Sequence, residues 1–75
     1  MKGTHAFAES IRFERTIIHK KRIAPKGYCF FVVTAKDKDK IYSMYQLVRT
    51  EGMSDEREQE LKDELISEFK KHFHL

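Results

Sequence analysis

The most regular hydrophobic signal in the chain lies near its C-terminus. Leu61, Leu65, Ile66, Phe69 and Phe73 recur at helical spacing and line one face of an amphipathic helix. Ser54 stands where an N-cap belongs. Asp55 and Glu56 follow in the first turn, and Lys70, Lys71 and His72 fall in the last, so each charge complements the helix dipole. Glu58 and Lys62 are four apart in the favoured order and are expected to pair. Both border the apolar stripe, so that edge is expected to be incompletely buried. Gly52 marks a turn before the cap.

Upstream the pattern changes to that of a β-hairpin. From Gly27 to Ala35 both alternating faces are apolar: Tyr28, Phe30 and Val32 point one way, Cys29, Phe31 and Val33 the other. A strand apolar on both sides belongs mid-sheet with cover on each face. Lys36-Asp37-Lys38-Asp39-Lys40 reads as a polar turn, and Ile41 to Thr50 as the returning strand. Ile41, Met44, Tyr45 and Val48 also fit a helix, which is the competing reading.

The first 24 residues carry a weaker signal. Phe7, Ile11, Phe13, Ile17 and Ile23 share parity, which suits one or two strands with a bend near Glu14–Arg15. A helix begun at Thr4 and carrying Phe7, Ile11 and Ile18 is the alternative. Ile17-Ile18 followed by His19-Lys20-Lys21-Arg22 resembles an edge strand protected by charge. Pro25-Lys26-Gly27 then turns the chain. The expected architecture is α+β: one domain over 1–75, with a small antiparallel sheet of three or four strands and the C-terminal helix on one face. The pattern leaves open which face the helix covers. The other face is expected to expose apolar side chains, and such a patch usually marks an interface.

Composition narrows the class. Seventy-five residues, 40% hydrophobic and 36% charged, describe a globular chain near the lower size limit for folding alone. A second copy would supply core that one chain lacks, so a homodimer through the sheet is compatible with this size. Cys29 is the only cysteine, the N-terminal segment lacks an apolar signal core, and the longest apolar run is Tyr28 to Ala35. These features predict a soluble, cytoplasmic protein without disulfides. The net charge of +3 hides an asymmetry, +7 over residues 1–50 and −4 over 51–75.

Enzymatic and metal chemistry find little footing. Gly3, Gly27 and Gly52 are isolated, so no phosphate-cradling loop is present. Cys29 sits in an apolar strand, where a thiol is poorly ionised, and His19 alone does not complete a nucleophilic site. His72 and His74 are two apart and would diverge on a helix. Asp37 and Asp39 lack the glycine and distal glutamate of a calcium loop. No catalytic residue, metal or cofactor is expected.

Two binding readings remain. Protein contact, as by an inhibitor or adaptor of the kind phages and mobile elements carry, would use the aromatic sheet face with Tyr42 and Tyr45. It would also use the acidic helix residues Glu56, Glu60, Asp63 and Glu64. Nucleic-acid contact would instead use Arg15, Lys20, Lys21, Arg22 and Lys26 for phosphates, with Tyr28 and Phe30 as stacking platforms. Lysines that merely guard an edge strand explain Lys20 and Lys21 equally well.

Overall fold

The computed structural model describes residues 10–74, so the Thr4-to-Phe7 segment of the first reading lies outside the described residues. Among the described residues, five strands precede one helix: β1 (Arg12–Thr16), β2 (Ile18–His19), β3 (Arg22–Ile23), β4 (Tyr28–Asp37), β5 (Lys40–Arg49) and α1 (Asp55–His72). β1, β4 and β5 form one antiparallel sheet in the order β1-β4-β5, and β2 with β3 forms a separate two-stranded hairpin. The chain is therefore a small α+β fold, as its pattern predicts.

β4 takes the central place because it is apolar on both faces. Phe30, Phe31, Val32 and Val33 are all nearly inaccessible to solvent. Cys29, Phe31, Val33 and Ala35 face the helix and join Val48, Leu65 and Phe69 in the core. Ile11, Phe13, Tyr42, Met44, Met53, Leu61, Ile66 and Phe73 close its margins. The helix thus covers the Cys29–Phe31–Val33 face, which settles the alternative the pattern left open.

The helix begins as expected. The Ser54 hydroxyl oxygen accepts a hydrogen bond from the Arg57 amide at 3.1 Å, and acidic and basic residues occupy the first and last turns. Ser54→Ala is expected to cost about 1 kcal/mol, seen as a lower urea midpoint with an unchanged slope. The expected Glu58–Lys62 pair does not form. Glu58 instead meets Arg15 of β1 at 3.0 Å, and the Lys62 ammonium lies 5.1 Å from the centre of the Phe13 ring. Both side chains reach across to the sheet because they border the buried stripe, where β1 offers them a cation and an aromatic face. The incompletely buried edge is real: a cleft of about 210 Å³ opens there between Phe13, Phe31, Asp55, Glu58, Gln59 and Lys62.

The hairpin β4–β5 runs in unbroken register through ten pairs, from Tyr28 opposite Arg49 to Asp37 opposite Lys40. The polar turn is thus shorter than five residues, with Lys38-Asp39 alone between paired strands. The helical alternative for Ile41–Val48 gives way to strand because β4 offers a continuous ladder. Gly27 sits at φ +86° in the turn before β4, where the Tyr28 amide donates to the Pro25 carbonyl at 3.0 Å. A positive φ at that position asks for glycine.

The N-terminal part departs from expectation in two places. The chain does not bend at Glu14–Arg15, since Arg12 to Thr16 pair continuously with Thr34 to Phe30. The bend comes at Ile17, where the Thr16 hydroxyl accepts from the Ile18 amide and donates to the Ile18 carbonyl. That local side-chain bonding closes a turn where the ladder ends. Nor is Ile17–Arg22 one edge strand. Lys20 and Lys21 form a two-residue turn, at φ +50° and +67°, between the paired residues Ile18–Ile23 and His19–Arg22.

Candidate functional site

The β2–β3 hairpin folds back over the sheet face opposite the helix. Its seat is aromatic: the His19 ring lies 4.8 Å from that of Tyr45 and 5.8 Å from that of Phe30. Arg22 donates to the Tyr45 hydroxyl at 3.3 Å. Residues paired across a hairpin share a face, so His19 and Arg22 point to the sheet while Ile18 and Ile23 point away from it. The His19 Nε2 atom is buried and has no hydrogen-bond partner among the described residues. An unmet buried nitrogen costs about 1–3 kcal/mol, which offsets part of what the ring contacts contribute.

The result is a surface rich in exposed apolar side chains. Ile18 and Ile23 are 56% and 73% exposed on the outer side of the hairpin, and Ile17 in the bend is 56% exposed. Ile41, Tyr45 and Leu47 are also exposed, on β5. They share parity and so lie on the face away from the helix. Lys20, Lys21 and Lys26 stand exposed around the hairpin.

The sequence-expected residues distribute unevenly over this geometry. Arg15 points to the helix side and is engaged with Glu58, so it is separated from the lysine turn. Phe30 is only 2% exposed beneath His19 and Tyr45, so its ring offers no open face for stacking. This corrects its expected role: the hairpin covers the sheet face that the pattern left open. Tyr28 is half-buried on the same face, and Arg22 is drawn to Tyr45. Lys20 and Lys21 are adjacent in the hairpin turn, and Lys26 lies exposed in the turn that follows β3.

Tyr42 and Tyr45 also part. Tyr42 packs on the helix side against Phe73, ring centres 4.9 Å apart, while Tyr45 lies on the opposite face. Glu56, Glu60, Asp63 and Glu64 all lie exposed on α1. Glu60 and Glu64 meet Arg57 at 2.8 and 3.9 Å, and Asp63 accepts from Gln59 at 3.0 Å. The hydrogen bond to Glu60, aided by the nearby Glu64 charge, raises the Arg57 pKa above its ordinary value. The acidic helix and the Tyr45 face thus lie on opposite sides of the sheet, and one flat partner does not cover both.

The outward isoleucines of the hairpin are absent from the sequence-derived set. Their signal is the symmetric run Ile18-His19-Lys20-Lys21-Arg22-Ile23, in which alternation about a central pair places both isoleucines on one side. Among the described residues, no group of three or more His, Cys, Asp or Glu is placed to hold a metal ion, and no helix is long and apolar enough to cross a membrane. Comparison with protein-family models, with curated proteins and with solved structures gave no match. The site must be read from its own chemistry.

Proposed function

We propose that this protein is a non-enzymatic binding module that docks on another protein through the outer side of the β2–β3 hairpin and the adjoining face of β5. The observation that carries this reading is the exposure of Ile18 and Ile23, a cross-strand pair of aliphatic side chains turned to solvent. Isolated exposed isoleucines are ordinary. A cluster of them on one projecting element, continued by Tyr45 and Leu47, is the kind of patch that interfaces use.

A second reading rests on a separate observation. Lys20 and Lys21 both occupy positive φ, a conformation that turns of this kind usually give to Asn and Gly. Lysine at such positions costs backbone energy, and retained strain often marks a working site. With Lys26 in the turn that follows β3, the lysines offer phosphate contacts to a nucleic acid.

One experiment separates the two readings. A photo-crosslinking amino acid at Ile23 would be used to capture partners in cells, in chains carrying Ile18→Asp or Lys20→Glu. The same chains without the photo-label would be titrated against labelled single- and double-stranded DNA and RNA over a range of salt. Apolar docking predicts a specific protein adduct that Ile18→Asp reduces at least about tenfold and Lys20→Glu leaves nearly unchanged. Nucleic-acid binding predicts a dissociation constant below about 10⁻⁵ M that rises steeply with salt and is lost on Lys20→Glu. An adduct indifferent to Ile18→Asp would refute the first reading.

A further inference from the structure

The two outer edges of the sheet are treated differently by the sequence. β1, at one edge, is five residues long, and three of them, Arg12, Glu14 and Arg15, are charged. β5, at the other, runs ten residues in unbroken register with β4, and no strand among the described residues pairs with its outer side. Its charges are confined to the ends, Lys40 and Arg49, and residues 41–48 carry none. They also contain no proline. Short length, charge, proline and bulges are the usual means of keeping an edge from pairing with another chain. β1 has two of these. The inner stretch of β5 has none.

We propose that β5 pairs antiparallel with β5 of a second copy of this chain, joining the two three-stranded sheets into one continuous sheet. A two-fold axis normal to the sheet keeps every side chain on its own face, so facing residues must share parity. Centring the axis on Met44 meets that condition and places Tyr45 opposite Ser43, Leu47 opposite Ile41, and Arg49 opposite Asp39. Asp39 lies in the turn one residue before β5, so opposite charges meet just beyond each end of the joint ladder. The two aliphatic residues exposed on β5, Ile41 at 72% and Leu47 at 39%, lie against each other across the seam. Moving the axis to Tyr45 would set Ile41 against Arg49 and lose both pairings. The Met44 register therefore accounts for Ile41, whose exposure in the single chain is otherwise unexplained.

Both helices lie on the same side of the joined sheet, and Ile18 and Ile23 on the hairpins take no part in the seam. Tyr45 and Leu47 lie in the seam as well as beside the docking surface, so the two activities are told apart through the hairpin isoleucines on one side and Ile41 on the other. Ile18→Asp tests the docking surface and leaves the dimer intact, whereas Ile41→Lys tests the dimer and leaves Ile18 and Ile23 in place.

Sedimentation equilibrium of the full chain, from micromolar to millimolar concentration, reads the proposal directly. The mass is expected to rise from 9.0 kDa towards twice that value. Ile41→Lys is expected to raise the dissociation constant at least about tenfold. Arg49→Asp sets like charges opposite each other and weakens the dimer, and adding Asp39→Arg restores it. These side chains are exposed, and circular dichroism of each variant verifies that the fold is kept. A single-chain mass at every concentration overturns the proposal, as does a dimer indifferent to Ile41→Lys or a charge swap that fails to restore association.

Discussion

Replacing Phe69 with alanine is expected to destabilise the domain severely. Phe69 is wholly inaccessible to solvent and, with Leu65, forms the part of α1 that reaches deepest into the core. Removing a buried phenylalanine costs about 3–5 kcal/mol, because the lost burial adds to the cavity left behind. A chain of this length has roughly 4–11 kcal/mol in all, so one substitution removes about a quarter of it at the least and all of it at the most. A thermal melt followed by circular dichroism would show the midpoint falling by about 12 °C or more. A fall of only a few degrees would mean that the helix contributes far less than its packing implies.

The second large effect has the opposite sign. Changing Lys20-Lys21 to Asn-Gly is expected to stabilise the protein by about 2 kcal/mol, since each lysine at positive φ costs on the order of 1 kcal/mol that Asn and Gly largely avoid. The chemical-denaturation midpoint should rise with no change in slope. The same variant bears on the second functional reading. If the lysine turn contacts phosphate, the stabilised protein binds nucleic acid more weakly, and stability and binding move in opposite directions. If stability does not rise, the turn is unstrained and its lysines need no functional account.

What could be read from the sequence, and what could not, follows the range of the forces involved. The helix was legible to its cap because Ser54, the charges of its first and last turns and the stripe through Leu65 and Phe69 are local signals with local causes. The β4–β5 hairpin was legible because a strand apolar on both faces has few places to go. The bend at Ile17 was not, because it depends on where the β1–β4 ladder runs out and on one threonine hydroxyl. The fate of Glu58 was hidden for a similar reason. Its alternative partner, Arg15, is 43 residues away along the chain.

The candidate site was legible only in part. Tyr42 and Tyr45 read together as one aromatic face, although three positions apart on a strand sets them on opposite sides, and which side would stay open depended on the helix and the hairpin together. Charge density drew attention to Lys20 and Lys21, but composition does not reveal that two lysines turn a hairpin. Once they do, Ile18 and Ile23 face outward as a matter of pairing geometry, and Phe30 is covered by the segment that reads as a charged edge strand.

The position of Cys29 has a practical consequence. Its thiol lies on the helix-facing side of the central strand, 6% exposed, with the Thr50 hydroxyl 3.5 Å from the sulfur. A single sulfhydryl so placed is a clock built into the protein: a thiol-specific reagent can modify it only when the strand is transiently uncovered. The rate of labelling in native buffer therefore reports how often the helix and sheet separate, without denaturant and without an added probe.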